Sequence, residues 1–303
     1  MLACFFSGCS NGQAKSQIPD ENGSKKDTST VDNGNPPPAE SGSTGKRGVC
    51  FSPATSNFAG RIVALKPHWF YTWSNDDYTG LTNGIEYVPM LIGRNKYNIN
   101  VINTLNTLYL QGKIKYVLGH NEPDLNNITP DQAVADWEFL CANINPGIKL
   151  VAPVPSNLNN TGGGVWLESF MAGCAAKGLR VDFLAAHIYG SRQPSVYIDP
   201  VVALYQKYGK QIWVTEFAVR RNNLNNTGWT MQTVFDMMFP QVLAAYEQMP
   251  EVFRYSWFSV GTQDRLDEGK LDLSMLVDIA GENLTMLGEY YRSVDPNEEA
   301  ELP

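Results

Sequence analysis

The sequence predicts an α/β fold, a single (β/α)8 TIM barrel with a disordered N-terminal tail. Three observations support this prediction. Eight short apolar runs alternate with segments of helical spacing, and such alternation implies a parallel sheet covered by helices. The body spans residues 47–294, close to the roughly 250 residues that eight βα units need. An open doubly wound sheet is the alternative, but the Gly-rich loop that usually follows its first strand is missing.

The individual elements follow from hydrophobic spacing. Thr129 is a suitable N-cap and Pro130 a suitable first residue for the second helix. The predicted strands cover 48–53, 68–73, 86–92, 116–122, 149–154, 181–189, 211–217 and 253–260. The predicted helices cover 98–111, 130–144, 165–177, 199–208, 230–247 and 283–293.

Composition narrows the range of ligands. The chain of 303 residues has 43% hydrophobic residues, only 18% charged residues and a formal net charge of −8. A negative chain without Lys/Arg clusters in its body argues against nucleic acid as a partner. Many Trp, Tyr and Asn residues with few charges suit a neutral, polar ligand such as a sugar, although a well-packed core gives the same composition.

Cysteine and histidine usage bears on redox state and metals. The five cysteines include three in the body, Cys50, Cys141 and Cys174. We expect them to be buried thiols, with a Cys141–Cys174 disulfide as the alternative. No CxxC spacing occurs and only three histidines are present, so neither a metal nor a cofactor is expected.

The two ends of the chain differ in composition from the body. Residues 1–9 are interpreted as the remnant of a lipoprotein signal peptide, because Phe6-Ser-Gly-Cys9 resembles a bacterial lipobox with Phe where Leu is usual. Residues 10–46 are rich in Ser, Gly, Asn and Pro and predict a disordered tether. Residues 295–303 form an acidic tail. We therefore expect an extracytoplasmic bacterial lipoprotein, periplasmic or on the cell surface, whose membrane contact is a lipid on Cys9.

Two predicted strands end in a glutamate. Glu122 follows the apolar run that starts at Tyr116, and Pro123 stops the strand there. Glu216 follows the run that starts at Ile212. The carboxyl ends of barrel strands surround one opening, where active sites lie. Two carboxylates facing each other across that opening are the minimal equipment for hydrolysing a glycosidic bond.

The spacing of the two carboxylates decides the mechanism. We predict the separation of about 5–5.5 Å found in retaining enzymes, with the inverting separation of about 6.5–9.5 Å as the alternative. In the retaining case Glu216 is the nucleophile and Glu122 acts first as acid and then as base. The competing interpretations are that Glu122 caps the next turn and that Glu216 pairs with Arg220 or Arg221.

Other side chains at the same strand ends predict contacts with a sugar. The Asn121 amide is placed to bind a hydroxyl near the reacting carbon, and Asp124 either orients Glu122 or caps the loop. Residues two apart on a strand share a face, which groups the aromatic residues of the second and sixth strands. Trp73 and Trp257 are expected to stack on sugar rings. The predicted substrate-binding residues are Asn121, Trp69, Tyr71, Trp73, His187, Tyr189 and Trp257.

Five motifs in order resemble glycoside hydrolase family 128, in the large clan of retaining (β/α)8 hydrolases. They are WFYTW at 69–73, GHNEPD at 119–124, AHIY at 186–189, TEF at 215–217 and YSW at 255–257. The resemblance spans about residues 47–294 and implies endo-acting hydrolysis of β-1,3-glucan, with Glu122 as acid/base and Glu216 as nucleophile. Many members have Asn where this chain has Thr72, so substrate contacts are expected to differ there. Some members act exo.

The sequence thus predicts a monomeric endo-β-1,3-glucanase that acts by double displacement on a β-1,3-glucan or oligosaccharide. Another retaining β-glycanase, of the cellulase or mannanase type, is the first alternative. A non-catalytic glucan-binding surface lipoprotein is the second, and the pair Glu122 and Glu216 argues against it, because a pure binder has no need of two such carboxylates.

Overall fold

The computed structural model describes residues 45–82, 84–156, 158, 161–220, 228–259, 271–281 and 283–294. The signal-peptide remnant predicted at 1–9, the tether at 10–46 apart from its last two residues, and the acidic tail at 295–303 lie outside the described residues. Within the described ranges, no helix combines the length and the apolar character needed to cross a membrane.

Eight strands alternate with helices along the described chain. The strands are β1 Arg47–Cys50, β2 Trp69–Tyr71, β3 Glu86–Tyr87, β4 Tyr116–Leu118, β5 Lys149–Val151, β6 Leu184–Gly190, β7 Ile212–Val219 and β8 Val252–Phe258. The α-helices are α1 Phe58–Leu65, α2 Ile99–Leu110, α3 Pro130–Asn143, α4 Thr161–Ala176, α5 Ser195–Tyr208, α6 Met231–Met237, α7 Phe239–Gln248 and α8 Met286–Ser293.

The strands close into a parallel barrel. Six of them form one sheet in the order β3-β2-β1-β8-β7-β6, and β4 pairs with β5. Single parallel bridges, Met90–Leu118 and Val151–Phe183, join the pair to the two edges of the larger sheet. The (β/α)8 prediction is confirmed, and the carboxyl ends of all eight strands surround one opening.

The core has two layers, because alternate residues of a strand point to opposite faces. One layer lies between strands and helices and contains residues such as Phe70 and Trp257. The other fills the barrel and contains Trp69, Tyr116 and Trp213. The inner layer makes the barrel a packed body whose opening is confined to the strand ends.

The helix starts follow the sequence closely. Thr129 forms a capping box with Gln132 at the start of α3, with Pro130 in the first turn, as predicted. Asn98 caps α2 by accepting from the backbone N–H groups of Asn100 and Val101. These caps satisfy N–H groups that have no partner inside the helix.

Two helical features differ from the prediction. The helix predicted at 230–247 is divided into α6 and α7, because Met238 leaves helical geometry and Pro240 in the first turn of α7 lacks a backbone N–H. Helix α1 was not predicted. It buries Arg61, whose guanidinium donates to the backbone carbonyls of Ser56, Asp278 and Ile279, an arrangement that hydrophobic spacing does not reveal.

The three cysteines among the described residues are free thiols, in agreement with the prediction. Cys50 and Cys174 are buried, whereas Cys141 is only half-buried. The alternative of a Cys141–Cys174 disulfide is not formed.

Candidate active site

Glu216 lies near the carboxyl end of β7 and is almost completely buried, with 5% of its side chain exposed. The pairing of β7 with β8 shifts register between Val214 and Phe217, and that of β6 with β7 shifts between Ala186 and His187. Such irregularities turn side chains locally. Here they occur where Glu216 and His187 face each other inside the barrel.

Three donors surround the Glu216 carboxylate. Oε1 accepts from Trp73 Nε1 at 2.9 Å and from the Tyr71 hydroxyl at 3.2 Å. Oε2 accepts from the Tyr189 hydroxyl at 2.5 Å. Because both carboxylate oxygens accept hydrogen bonds from fixed donors, the Glu216 side chain is held in one orientation.

The hydroxyl groups of Tyr71 and Tyr189 stay protonated and therefore remain hydrogen-bond donors. Burial raises the pKa of Tyr71 well above its usual range, and the nearby Glu216 carboxylate adds to the effect. Burial likewise raises the pKa of Tyr189, again with a contribution from Glu216. Both hydroxyls therefore keep their protons over the range in which glycosidases work.

Glu122 is held by a different local structure. Its φ of 45° lies in the left-handed region, which is costly for a residue with a side chain. Its backbone N–H donates to Val154 O at 2.8 Å, and Asn126 Nδ2 donates to its carbonyl at 2.9 Å. The side chain is 26% exposed. Glu122 is thus oriented by its backbone and open to water, whereas Glu216 is enclosed.

Asp124 anchors the loop that carries Glu122. Its two carboxylate oxygens accept from the backbone N–H of Ser156 at 2.9 Å and from the Ser156 hydroxyl at 2.7 Å. The loops after β4 and β5 are tied together in this way. Of the two roles considered for Asp124, the structure shows the loop role.

His187 bridges the two carboxylates. Its ring is fully buried, with Nδ1 3.2 Å from Glu122 Oε1 and Nε2 3.4 Å from Glu216 Oε1. One oxygen of Glu122 and one oxygen of Glu216 lie within 4.8 Å of each other. The two side chains are thus close enough to act on one bond, and the retaining mechanism predicted from a separation of about 5–5.5 Å between carboxyl groups remains a prediction.

The same three side chains are close enough to ligate a metal, the one such group among the residues that the structure describes. Hydrolysis by two carboxylates needs no metal or cofactor. The expectation that the protein holds neither a metal nor a cofactor remains a prediction.

The structure brings most of the predicted residues to one place, but several have other contacts than expected. Tyr71 and His187 are fully buried and contact the carboxylates, so their predicted direct contact with sugar is corrected to a positioning contact. Trp73 and Tyr189 are half-buried at the opening. Asn121 Oδ1 is buried and has no hydrogen-bond partner among the described residues, and the contact of Asn121 with sugar remains a prediction.

Two predicted aromatic contacts are wrong. Trp69 is fully buried deeper in the barrel, where its Nε1 donates to Lys46 O and its ring meets Trp213 edge-on. Trp257 is fully buried on the outer side of β8, where its Nε1 donates to Ser274 O and its ring packs on Phe239. Neither indole presents a face to a ligand.

Phe258, which was not predicted, takes the place expected for Trp257. It is half-buried at the end of β8, and its ring centroid lies 5.9 Å from Trp73 and 5.8 Å from Tyr189. The prediction placed the outward-facing Trp257 at the opening, whereas the next residue, Phe258, faces inward. Arg254 faces the barrel interior, and residues 254 and 258 share a face of the strand, so the position of Arg254 indicates that Phe258 faces inward.

Comparison with known proteins identifies the family. The glycosyl hydrolase catalytic core family matches residues 48–291. The chain belongs to this family. A search of curated protein sequences gives no match.

Three solved structures of glycosyl hydrolases show the likeness in detail. An endo-β-1,3-glucanase of family 128, subgroup I, from Amycolatopsis mediterranei, in complex with laminaritriose, is 29% identical with a TM-score of 0.66, over 83% of this chain and 99% of that chain. A subgroup II endo-β-1,3-glucanase from Pseudomonas viridiflava is 28% identical with a TM-score of 0.64, over 82% of this chain and 98% of that chain. A subgroup III curdlan-specific exo-β-1,3-glucanase from Blastomyces gilchristii, in complex with glucose, is 26% identical with a TM-score of 0.62, over 86% and 100%. The resemblance to family 128 is confirmed.

Proposed function

We propose that this glycosyl hydrolase cleaves β-1,3-glucan by double displacement with retention of configuration. One observation carries the proposal: oxygens of Glu122 and Glu216 lie within 4.8 Å of each other at the opening of the barrel. The two carboxylates differ in exposure and in their hydrogen-bond donors, as two carboxylates with different roles should.

In the first step the Glu122 carboxyl donates its proton to the glycosidic oxygen while a Glu216 oxygen attacks the anomeric carbon. The bond to the leaving chain breaks and a glycosyl ester of Glu216 forms. In the second step the Glu122 carboxylate takes a proton from water, and the resulting oxygen displaces Glu216. The buried position of Glu216 and its three donors suit the nucleophile, and the exposure of Glu122 suits a group that exchanges protons with water.

The substrate class is inferred from the family 128 relatives named above, which are β-1,3-glucanases. The aromatic side chains at the opening, Trp73, Tyr189 and Phe258, supply apolar surface against which a sugar ring can stack. We propose endo cleavage because two of the three relatives described are endo-acting.

A polysaccharide panel tests the substrate. We expect new reducing ends from laminarin and curdlan and none from cellulose or mannan, with Glu216→Ala as the inactive control. Release from cellulose or mannan alone would replace the proposal with another β-glycanase activity. Binding of curdlan by the wild-type chain without release would replace it with a binding role.

The cleavage mode needs a separate assay. Laminari-oligosaccharides with a reduced end give a spread of product sizes when cleavage is internal. Release of glucose or of one fixed oligosaccharide from an end would contradict endo action.

We also propose that the chain is held outside the cytoplasm by a lipid on Cys9, a proposal supported by the lipobox-like Phe6–Cys9 segment. Cys9→Ala should move the protein from the membrane fraction to the soluble fraction, and removal of residues 1–44 should leave activity on soluble laminarin unchanged. A wild-type protein without an acyl group would contradict the anchor.

A further inference from the structure

Arg192 lies at the catalytic end of the barrel, two residues after the last residue of β6. Its guanidinium carbon is 4.0 Å from the centroid of the Trp229 ring. Trp229 lies shortly before α6, in the connection that follows β7. The pair therefore joins the loops after the two strands that carry Tyr189 and Glu216.

The guanidinium of Arg192 includes an N–H donor without an acceptor in the described part of the chain. Its Nε is buried and has no hydrogen-bond partner among the described residues. Arg254 and Arg180 also have a buried nitrogen without an acceptor, but Arg254 forms an ion pair with Glu86 and Arg180 forms one with Asp182, whereas Arg192 forms none with a described residue. A guanidinium offers five N–H donors in a fixed plane. Arg192 is only half-buried, so the rest of its guanidinium is available to an acceptor from outside the chain.

The loop under Arg192 is fixed. The Tyr197 hydroxyl donates to Ser191 O at 2.8 Å, and the Arg220 N–H donates to Gly190 O at 3.2 Å. Gly190 packs so closely that a Cβ there would lie 2.4 Å from Val196 Cγ1. The backbone and the stacked Trp229 ring thus orient the guanidinium before any ligand binds, which lowers the entropy lost on binding.

The ligand chemistry follows from the position. Arg192 lies on the rim beyond Tyr189, whereas bond cleavage takes place between Glu122 and Glu216. A glucosyl residue in a β-1,3-linked chain keeps free hydroxyls at C2, C4 and C6, and a guanidinium fork can donate to two neighbouring oxygens at once. A long chain that continues past the carboxylates would bring such hydroxyls to this rim.

We propose that Arg192, oriented by Trp229, binds hydroxyls of a glucosyl residue away from the cleaved bond and thereby sets the chain length that the enzyme prefers. This inference rests on the proposed β-1,3-glucan hydrolysis. It assigns Arg192 to substrate specificity and Trp229 to positioning.

The test measures kcat/KM for laminari-oligosaccharides from the disaccharide to the heptasaccharide, and for a short aryl β-glucoside. For substrates long enough to reach the rim, we expect kcat/KM of Arg192→Ala to fall by about 10- to 100-fold. This is the effect expected when hydrogen bonds to a charged group are lost. The loss should be in KM, with turnover of the aryl glucoside unchanged. Arg192→Lys should recover part of it, and Trp229→Leu should give a smaller loss at the same chain length.

Arg292→Ala is the matched control, because Arg292 lies on α8 and pairs with Glu289; it should leave every chain length unchanged. A length profile of Arg192→Ala identical to wild type would overturn the proposal. An equal loss on short and long substrates would also overturn it, and thermal unfolding of Arg192→Lys checks that the fold is intact. Wild-type activity decides the proposed function separately: a wild-type chain without activity on any β-1,3-glucan refutes that function whatever Arg192 does.

Discussion

The two ends of the barrel interior differ in the charges that they bury: one holds an ion pair, and the other holds two carboxylates. At the closed end, the guanidinium of Arg254 pairs with Glu86 at 2.5 Å and lies 4.7 Å from the ring centroids of both Tyr116 and Trp213. Opposite charges meet there, and aromatic faces stabilise the cation.

At the open end, two carboxylates of like charge meet instead. Glu122 and Glu216 have oxygens within 4.8 Å of each other, and His187 lies between them. Two residues there have left-handed backbones, Glu122 with φ 45° and Trp73 with φ 53°. Each such conformation costs on the order of 1–3 kcal/mol.

The difference shows which end is organised for packing and which for chemistry. The charges of the closed end are balanced within the chain, so it needs no ligand. The open end keeps an arrangement that is unfavourable by itself and that becomes useful when a glycosidic bond lies between the carboxylates. Variants at the two ends should therefore separate activity from stability.

Glu216→Ala should give the largest effect. We expect activity to fall by more than about 10⁴-fold, as expected when a covalent nucleophile is removed. Added azide should restore turnover as the inverted glycosyl azide, measured by NMR of the product. Activity close to wild type in this variant would contradict the assignment of the nucleophile.

Glu122→Ala should give the next largest effect, a loss of about 10²–10⁴-fold, the usual value of general acid–base catalysis. An aryl glycoside with a good leaving group should be affected less in the first step, because it needs less proton donation. Azide should then give a glycosyl azide of retained configuration, opposite to that from Glu216→Ala. The same azide configuration from both variants would mean that the two roles are wrongly divided.

Glu86→Ala tests the closed end. It leaves the buried Arg254 without its carboxylate, and breaking a buried pair in this way costs about 3–5 kcal/mol. The midpoint of urea unfolding should fall, while kcat of the folded enzyme stays near wild type.

Glu289→Ala is the control for Glu86→Ala. It removes an exposed ion pair with Arg292 and should cost less than about 1 kcal/mol. A Glu86 variant as stable as the Glu289 variant would show that the closed end does not depend on its ion pair.

His120 should give the smallest effect. It is buried, stacks on Tyr97 and has Nε2 3.3 Å from Asp136 Oδ2. Burial lowers the pKa of His120 below its ordinary value of 6.5. The unfolded chain therefore takes up a proton at a higher pH than the native chain. The stability that neutral His120 contributes is present above about pH 6.5 and is lost as pH falls toward the native pKa.

His120→Asn should thus show a smaller drop in unfolding free energy between about pH 7 and about pH 5 than wild type. The difference is limited to about 1.36 kcal/mol per pH unit. Parallel pH curves for the two proteins would contradict the lowered pKa.

Hydrophobic spacing predicted the barrel and its two glutamates because both depend on where a buried strand ends. Glu122 and Glu216 each follow an apolar run, and parallel strands bring such ends together. The spacing carries no information on the left-handed backbone of Glu122 or on the register shifts beside His187, since these arise from pairing between strands distant in sequence.

The errors at Trp69 and Trp257 have a similar origin. A run of aromatic residues does not show how deep in the barrel each ring lies, and the eighth strand, rich in aromatics on both faces, does not show which face is inward. The single residue that separates Trp257 from Phe258 moves an aromatic ring from the outer core to the opening. Likewise, the break between α6 and α7 at Met238 depends on packing that the apolar pattern of residues 230–247 does not contain.

The spacing of Glu122 and Glu216 as a retaining pair is the claim on which the rest depends. The most direct test is proton NMR of the first product released from a laminari-oligosaccharide, before mutarotation equilibrates the anomers. We predict that the β-anomer of the new reducing end accumulates first. Initial release of the α-anomer would contradict the account, because it would require a water molecule between the two carboxylates in place of a glycosyl ester on Glu216.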